Sequence, residues 1–244
     1  MLQGGVTVQG LSEACKVDPK TVERWLTLGR TPHRQHRWTA AKLLGAEEAY
    51  LWPAVLEGQA HKRSAAAQSE LVRLFPNRAA VPRESWNKLI NESTKNIDVL
   101  VFSGTFLSQM PRIAKMLRSR ADLGAQVRLC LGDPNSAAVK IRDAEEGLVG
   151  TLSAKIKAAL TYFRPLSGLE NCELRLHSTT LYNSIFRFDD ALLVNPHVWG
   201  HPASTNPLLQ FRRLDLVSGF FDHYTDSFEA VWESAQSLQR IKDE

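Results

Sequence analysis

NIDVLVFSG, residues 96–104, holds five apolar residues interrupted only by Asp98 and closes on a glycine. A short apolar run without alternation marks a strand buried on both faces, as in a parallel sheet flanked by helices. Toward the C-terminus, residues 108–123 carry Ile113, Met116, Leu117 and Arg120 at helical spacing for one side against such a sheet. QVRLCLG (126–132) predicts a second buried strand, and 137–163 a largely helical stretch with a break near 147–150. CELRLH (172–177) is a third strand, SIFRFDDALLVN (184–195) a hairpin folding on Asp189 and Asp190, and 208–214 a further strand. Residues 218–241 form a long amphipathic helix whose apolar side is Phe220, Phe221, Tyr224, Phe228, Val231 and Trp232. Strands and helices in this order predict an α/β layered domain over 71–244. Residues 77–83 read as loop. EGQAHKRSAAAQSE (57–70) lacks a wide apolar face but is rich in alanine, which predicts a helical linker over 58–70.

The first part of the chain, 1–57, reads as a small all-α domain. Val8, Leu11 and Ala14 predict a helix over 9–15, and Lys16–Val17 a short turn. Asp18 as N-cap with Pro19 at the first helical position opens a helix over 20–28, with Val22, Trp25 and Leu26 inward. Lys20, Thr21, Glu23, Arg24 and Thr27 are left outside. Gly29 ends it. A third helix spans 34–44 with Trp38, Ala41 and Leu44 inside, Gly45 stops it, and 47–52 makes a last turn. Two short helices about a tight turn, the second showing Lys, Thr and Arg outward, form a helix-turn-helix whose second helix fits a major groove.

Charge supports the division. The chain carries 30 Lys and Arg against 26 Asp and Glu. Lys20, Arg24, Arg30, Arg34, Arg37 and Lys42 fall within one stretch that holds Glu23 as its sole acid, while residues 64–244 are near neutral. A basic patch beside a neutral remainder points to a polyanion partner for the first part, or to a solvated helix face. An apolar fraction of 43% excludes wholesale disorder. No run of eighteen apolar residues occurs and the N-terminus lacks the order of a signal peptide, so no membrane span or export is expected. Cys15, Cys130 and Cys172 have no metal-ligand spacing, which predicts no disulfide scaffold, no zinc and a reducing cytoplasm.

LSEACKVDPKTVERWLTLGRTPHRQHRWTAAKLLGAEEAYLWP (11–53) resembles the phage-repressor-type, Xre-like family in a form common among actinobacterial regulators. The resemblance implies double-stranded DNA as partner, with Lys20, Thr21 and Arg24 reading bases and Arg30, Thr31, Arg34 and Arg37 contacting phosphates. Thr21 also reads as an ordinary exposed helix residue, and Arg37 as a stem shielding Trp38. Family members carry a full helix ahead of the turn helix, whereas only residues 1–5 precede Val6. Leu11, Val22 and Trp25 are therefore expected to lose part of their cover, unless the natural start lies upstream or another part of the protein supplies it.

IDVLVFSG, VRLCLGDP, CELRLH, IFRFDDALLV and FFDHYTDSFEAVWE together resemble one half of the phospholipase D-like superfamily. Active members carry His-x-Lys-x4-Asp. Anchored on Asp190, the lysine position falls on Ile185 and the histidine position on Asn183, while His197 and Val198 stand where a Gly-Ser is expected. Asparagine is no nucleophile and isoleucine cannot neutralise phosphate. The resemblance thus implies the fold without the enzyme: no catalytic residues, cofactor or metal, and, since active members pair two halves, a homodimer. Trp86, Trp199 and the last helix's aromatic residues are candidates for that interface or for the core.

A site that has lost its chemistry can still bind. Open α/β sheets place ligands beyond the carboxyl ends of their strands, which gathers Ser103, Thr105, Asp133, Asn135, His177 and Thr179, with Tyr182, Asn183 and Arg187 from the hairpin. An arginine with several hydroxyls suits a small anionic or nucleotide-like effector. Each has a plainer reading: Asp133 forms a turn, His177 bonds at a strand end, Arg187 pairs with Asp189 or Asp190. The expected function is a sequence-specific DNA-binding transcriptional regulator with a dimerising, ligand-sensing second domain. The alternatives are a phosphodiesterase on nucleic acid or phospholipid, and a non-catalytic protein-interaction module.

Overall fold

The computed structural model describes residues 6–52, 70–214 and 219–238. The chain divides into two compact units, 1–65 and 66–244. The linker expected over 58–70 lies outside the described residues except for Glu70.

In the first unit, α1 (Val8–Cys15), α2 (Pro19–Thr27), α3 (Arg34–Leu44) and α4 (Glu48–Leu51) follow one another. Thr7 accepts from the Gly10 N–H at 3.0 Å to start α1, and Lys16 ends it in the left-handed conformation, φ 53°. Asp18 accepts from the Lys20 N–H at 2.8 Å, with Pro19 supplying the missing donor position of the first turn. Both α2 and α3 pack on α1. Leu11, Cys15, Val22 and Ala40 form the core, with Val6, Val8, Val17, Trp25 and Trp52 packed around it. Leu11 and Val22 are thus covered within the unit, contrary to the loss of cover expected for them.

Three inward assignments are corrected. Leu26 is 54% exposed and Trp38 62% exposed, and Ala14 also faces solvent. The core accepts Cys15 from α1 and Ala40 from α3 instead. Trp38 finds its partner at the surface, with the Lys42 ammonium 5.4 Å from its ring centre.

In the second unit the described strands are β1 (Leu71–Phe75), β2 (Asn96–Val101), β3 (Gln126–Gly132), β4 (Cys172–His177), β5 (Asn183–Phe188), β6 (Ala191–Pro196), β7 (Leu208–Arg212) and β8 (Gln236–Ser237). They form one mixed sheet in the order β1-β7-β6-β5-β2-β3-β4-β8, with β2, β3 and β4 parallel and every other pair antiparallel. The helices are α5 (Arg83–Glu92), α6 (Thr105–Ser108), α7 (Ile113–Asp122), α8 (Ala137–Glu145), α9 (Thr151–Phe163) and α10 (Phe220–Ser234). Alternation along β2 sends Ile97, Val99 and Val101 to one face, where Trp86, Ile90, Ile113 and Leu117 cover them. Leu100 and Phe102 go to the other, beneath Val139, Ile156, Phe221, Phe228 and Trp232. The chain is therefore a mixed α/β protein whose central strands are buried on both faces.

Several expectations shift. The helix predicted over 108–123 starts later, as α7 at Ile113: residues 109–112 part it from the short α6, and Arg112, at φ 62°, re-aims the chain into it. The break predicted near 147–150 is present, and the Asp143 carboxylate spans it by accepting from the Gly150 and Leu152 N–H groups. The last helix ends at Ser234 and β8 follows by pairing with β4. Part of the loop predicted over 77–83 is a 3-10 turn, Arg78–Ala80, and α5 begins at Arg83 with Trp86 in the core. Trp86 meets Phe106 and Phe186 at 4.9 and 5.2 Å and is not an interface residue.

Asp98, 1% exposed, binds the Arg128 guanidinium at 2.7 Å, and Arg128 binds both Glu229 oxygens at 2.8 and 2.7 Å. Phe228 and Trp232 lie over the same guanidinium at 4.7 and 5.4 Å. Burial acts against this cation, and the bonds from Glu229 and Asp98 outweigh it, raising its pKa above that of an ordinary arginine. β2, β3 and α10 are joined here by charge. Asp98→Ala leaves the buried cation without its neighbour and is expected to cost about 3–5 kcal/mol. Urea unfolding checks this, as a lower midpoint at unchanged slope; a loss below about 1 kcal/mol would contradict it.

Candidate functional site

Beyond the carboxyl end of β2 lies a cleft of about 230 Å³. Its lining includes Arg78 from the turn after β1, Ser103 and Thr105 after β2, Lys155 on α9, Ser184 on β5, and His197 and Ser204 after β6. Phe102, Phe106 and Leu152 supply apolar wall. A second depression of about 490 Å³ shares Arg78, Phe106, Gln109 and Ser204 and continues over Pro82, Trp86 and Met110. A larger one, about 600 Å³, opens at the other end of the sheet between residues 126–128 and 167–174. Its cation, Arg128, is already spent on Asp98 and Glu229.

The hairpin is fixed by Asp189 rather than Asp190. The Asp189 carboxylate accepts from the Thr94, Lys95 and Asn96 N–H groups, each at 2.8 Å, and from the Thr94 hydroxyl at 3.1 Å. Burial alone would raise this carboxyl, and the backbone donors prevail, holding it below the usual aspartate value. The chain turns through Asp189 at φ 51°. Ile185 faces the core with Leu100 and Val194, and it is Ser184, one residue earlier, that faces the cleft. Counted from Asp189, the lysine position of the phospholipase D-like motif falls on Ser184 and the histidine position on Tyr182, so neither anchor restores the motif.

Ser184 and His197 form a pair. Their Oγ and Nε2 atoms are 3.0 Å apart, and His197 Nδ1 is 3.1 Å from the Leu181 carbonyl. A carbonyl can only accept, so Nδ1 carries the proton and Nε2 accepts from the serine hydroxyl. Phe102 stacks on the imidazole at 5.7 Å. Burial pushes His197 down to about 4, with Arg142 and Arg78 pushing the same way against the Leu181 carbonyl. Burial also pulls Arg78 down to about 10, against the attraction of Glu146. Arg142 is paired with Glu145 and Glu146 at 3.3 and 2.7 Å. Arg78 and Lys155 have no ion-pair partner among the described residues.

Of the residues expected to gather here, Ser103 and Thr105 line the cleft, with Thr105 donating to Ser103 at 3.0 Å. His177 is 1% exposed and closed off, its Nε2 on the Val101 carbonyl at 3.1 Å and its Nδ1 accepting from the Thr179 N–H at 3.3 Å. Asp133 caps its own turn at the Asn135 N–H, 2.9 Å away. Tyr182 is 78% exposed, and neither it nor Asn183 lines the cleft. Arg187 sits at the opposite end of β5, 3.5 Å from Asp98 and bonded to the Asp189 carbonyl. Antiparallel pairing of β5 with β2 puts it there, so it belongs to the buried ion cluster and not to a ligand site. Arg78, Lys155, Ser184, His197 and Ser204 were missed. His197 alone had a signal, its place at the motif's Gly-Ser spacing.

In the first unit Lys20, Arg24, Arg30, Thr31 and Arg34 are exposed and Thr21 half-buried. Arg37 is not free for phosphate: its Nε is 2.5 Å from Glu48 and its Nη1 donates to the Pro32 carbonyl at 2.8 Å. It ties α3 to α4 and to the loop before it. Among the described residues no helix is long and apolar enough to cross a membrane, and no three His, Cys, Asp or Glu side chains are placed to hold a metal.

No protein-family model matches the sequence, and no curated protein matches it. Among solved structures the chain is similar to Nuc from Salmonella typhimurium, a phospholipase D family member, at 13% identity over 68% of this chain and 96% of that one, TM-score 0.44. NucT from Helicobacter pylori gives 14%, 68%, 98% and 0.43. TrmBL2, an archaeal chromatin protein described with a novel mode of DNA binding, gives 12%, 91%, 72% and 0.41. Backbone likeness of this size speaks to neither activity nor ligand.

The proton that His197 refuses has a measurable consequence. Below its ordinary pKa of 6.5 and down to about 4, the unfolded chain binds a proton that the native chain does not, so stability falls as pH falls through that window. Fully developed, the loss is on the order of 3 kcal/mol. His197→Gln, which stays neutral, is expected to melt with a shallower decline in Tm between pH 6.5 and 4 than the parent. Parallel declines would show that His197 is not held neutral.

Proposed function

We propose that the chain is a sequence-specific DNA-binding transcriptional regulator, with α2 as the helix that enters the major groove. The supporting observation is local: α1 and α2 are separated by three residues, the left-handed Lys16 turns the chain, and Asp18 and Pro19 start α2 with Lys20 and Arg24 exposed. N-terminal side chains of such a helix reach base edges. Lys20, Thr21 and Arg24 are the base-reading residues, and Arg30, Thr31 and Arg34 contact phosphates. The second unit is a non-catalytic, phospholipase D-like domain that dimerises and binds an anionic effector. Its support is a cleft with hydroxyls and unpaired cations but neither the lysine nor the histidine of the active motif.

A protein partner for the first unit is the second reading, favoured by the exposure of Leu26, Leu28 and Trp38 on so small a domain. Selection from random duplexes by fluorescence anisotropy separates the two. Recovery of one inverted repeat, with Lys20→Ala or Arg24→Ala costing about 1–3 kcal/mol at one base position, supports base reading. Arg34→Ala is expected to weaken all sequences alike and to lower the salt slope by about 1. Binding that enriches no sequence would overturn the regulator reading.

Dimerisation has a candidate surface in β1, the edge strand, where Leu71, Val72 and Leu74 are exposed. Sedimentation at micromolar concentration is expected to give twice the chain mass, and Val72→Lys with Leu74→Lys to give the monomer. A monomeric parent would refute the dimer.

A further inference from the structure

We infer that the cleft beyond β2 holds the phosphate of a small phosphate monoester between Arg78, Lys155, Ser103 and Ser204, with the ester's organic part over Phe106 and Trp86. This deepens the reading of the second unit as an effector domain, and rests on that reading.

The charges at the cleft do not cancel within the protein. The one carboxylate lining the cleft, Glu146, also attracts Arg78 but is bonded to Arg142, which takes up Glu145 too; His197 is neutral, and Asp133 is turned into its own loop. Arg78 and Lys155 remain without ion-pair partners among the described residues, and they come from two different elements, the turn after β1 and α9. The Arg78 guanidinium stacks 4.4 Å over Phe106. With no ion-pair partner among the described residues and only the longer-range attraction of Glu146, itself bonded to Arg142, it is a cation that an arriving anion stabilises.

Hydroxyl bookkeeping narrows the class. Ser184 gives its proton to His197, and Thr105 gives its proton to Ser103. The Ser103 hydroxyl proton is therefore still available, as is that of Ser204, which donates to no group among the described residues. Two cations and two hydroxyl donors around one small space suit a tetrahedral oxyanion with several equivalent acceptors better than a planar carboxylate. At about 230 Å³ the inner cleft is smaller than a drug-sized site, enough for a phosphate and little more. The adjoining depression shares Arg78, Phe106, Gln109 and Ser204 and offers Pro82, Trp86 and Met110, an apolar bed for a body attached to that phosphate. This is what separates a monoester from free phosphate.

The test is calorimetric titration of the full chain, without DNA, with inorganic phosphate and with phenyl phosphate. Both are expected to bind saturably, phenyl phosphate at least tenfold more tightly. Lys155→Gln on α9 and Arg78→Gln are each expected to weaken phenyl phosphate at least tenfold, and Tyr182→Ala, outside the cleft, to leave it unchanged. Thermal unfolding of each variant reports whether it folds, and Lys155→Gln alone decides the matter if Arg78→Gln does not. Absence of saturable binding, or binding unchanged in a folded Lys155→Gln, overturns the site. Equal affinity for the two probes overturns the apolar bed and leaves a bare anion site. Failure here with a specific duplex still bound would remove the effector chemistry and leave the regulator reading intact, whereas phosphate binding without any DNA binding would do the reverse.

Discussion

The Arg128 guanidinium, held between Asp98 and Glu229 and roofed by Phe228 and Trp232, is the constraint on which the second unit depends. A charge this deep is tolerable only if its partners stay in place. Its partners come from β2 and α10, and Arg187 of β5 closes on the same aspartate. The cluster therefore fixes which strand lies beside β2 on each side and which face of the sheet the last helix covers. An apolar core tolerates slippage and repacking; a forked, hydrogen-bonded cation does not.

The same register settles the other end of the sheet. With Asp98 opposite Arg187, β5 runs antiparallel to β2 and away from the cleft, so that its first residues, Ser184 among them, lie at the carboxyl end of β2. Asp189 secures this by receiving three backbone N–H groups at the start of β2. The hairpin then brings His197 back to Ser184 after thirteen residues. Polar groups that finish satisfied, such as His177, become structure. Arg78 and Lys155, without ion-pair partners among the described residues, line the open cleft instead.

Much of this was legible in the residues. The unalternating runs at 97–101 and 126–132 announced strands covered on both faces, and Asp18–Pro19 announced the start of α2. The short β1 and helix α5 were not read, because LVRLF is too brief to separate strand from helix and the signal in Trp86, Leu89 and Ile90 follows a proline-rich turn. Leu26 and Trp38 were placed inward by helical spacing. Spacing gives a face, and only packing says how wide that face is.

Sequence by itself determined the order of the central strands and longer helices, the two-part division of charge and the absence of a His-x-Lys-x4-Asp motif, since these depend on residue type and local periodicity. Tertiary structure alone decided which polar residues meet. Arg187 and Asn183 are close to Ser184 in the chain, yet one is buried with Asp98 and the other lies outside the cleft. Arg78 and Lys155 are far apart in the chain and share it. Strand pairing sets those neighbours, and pairing is fixed by contacts between residues tens of positions apart, which no local pattern records.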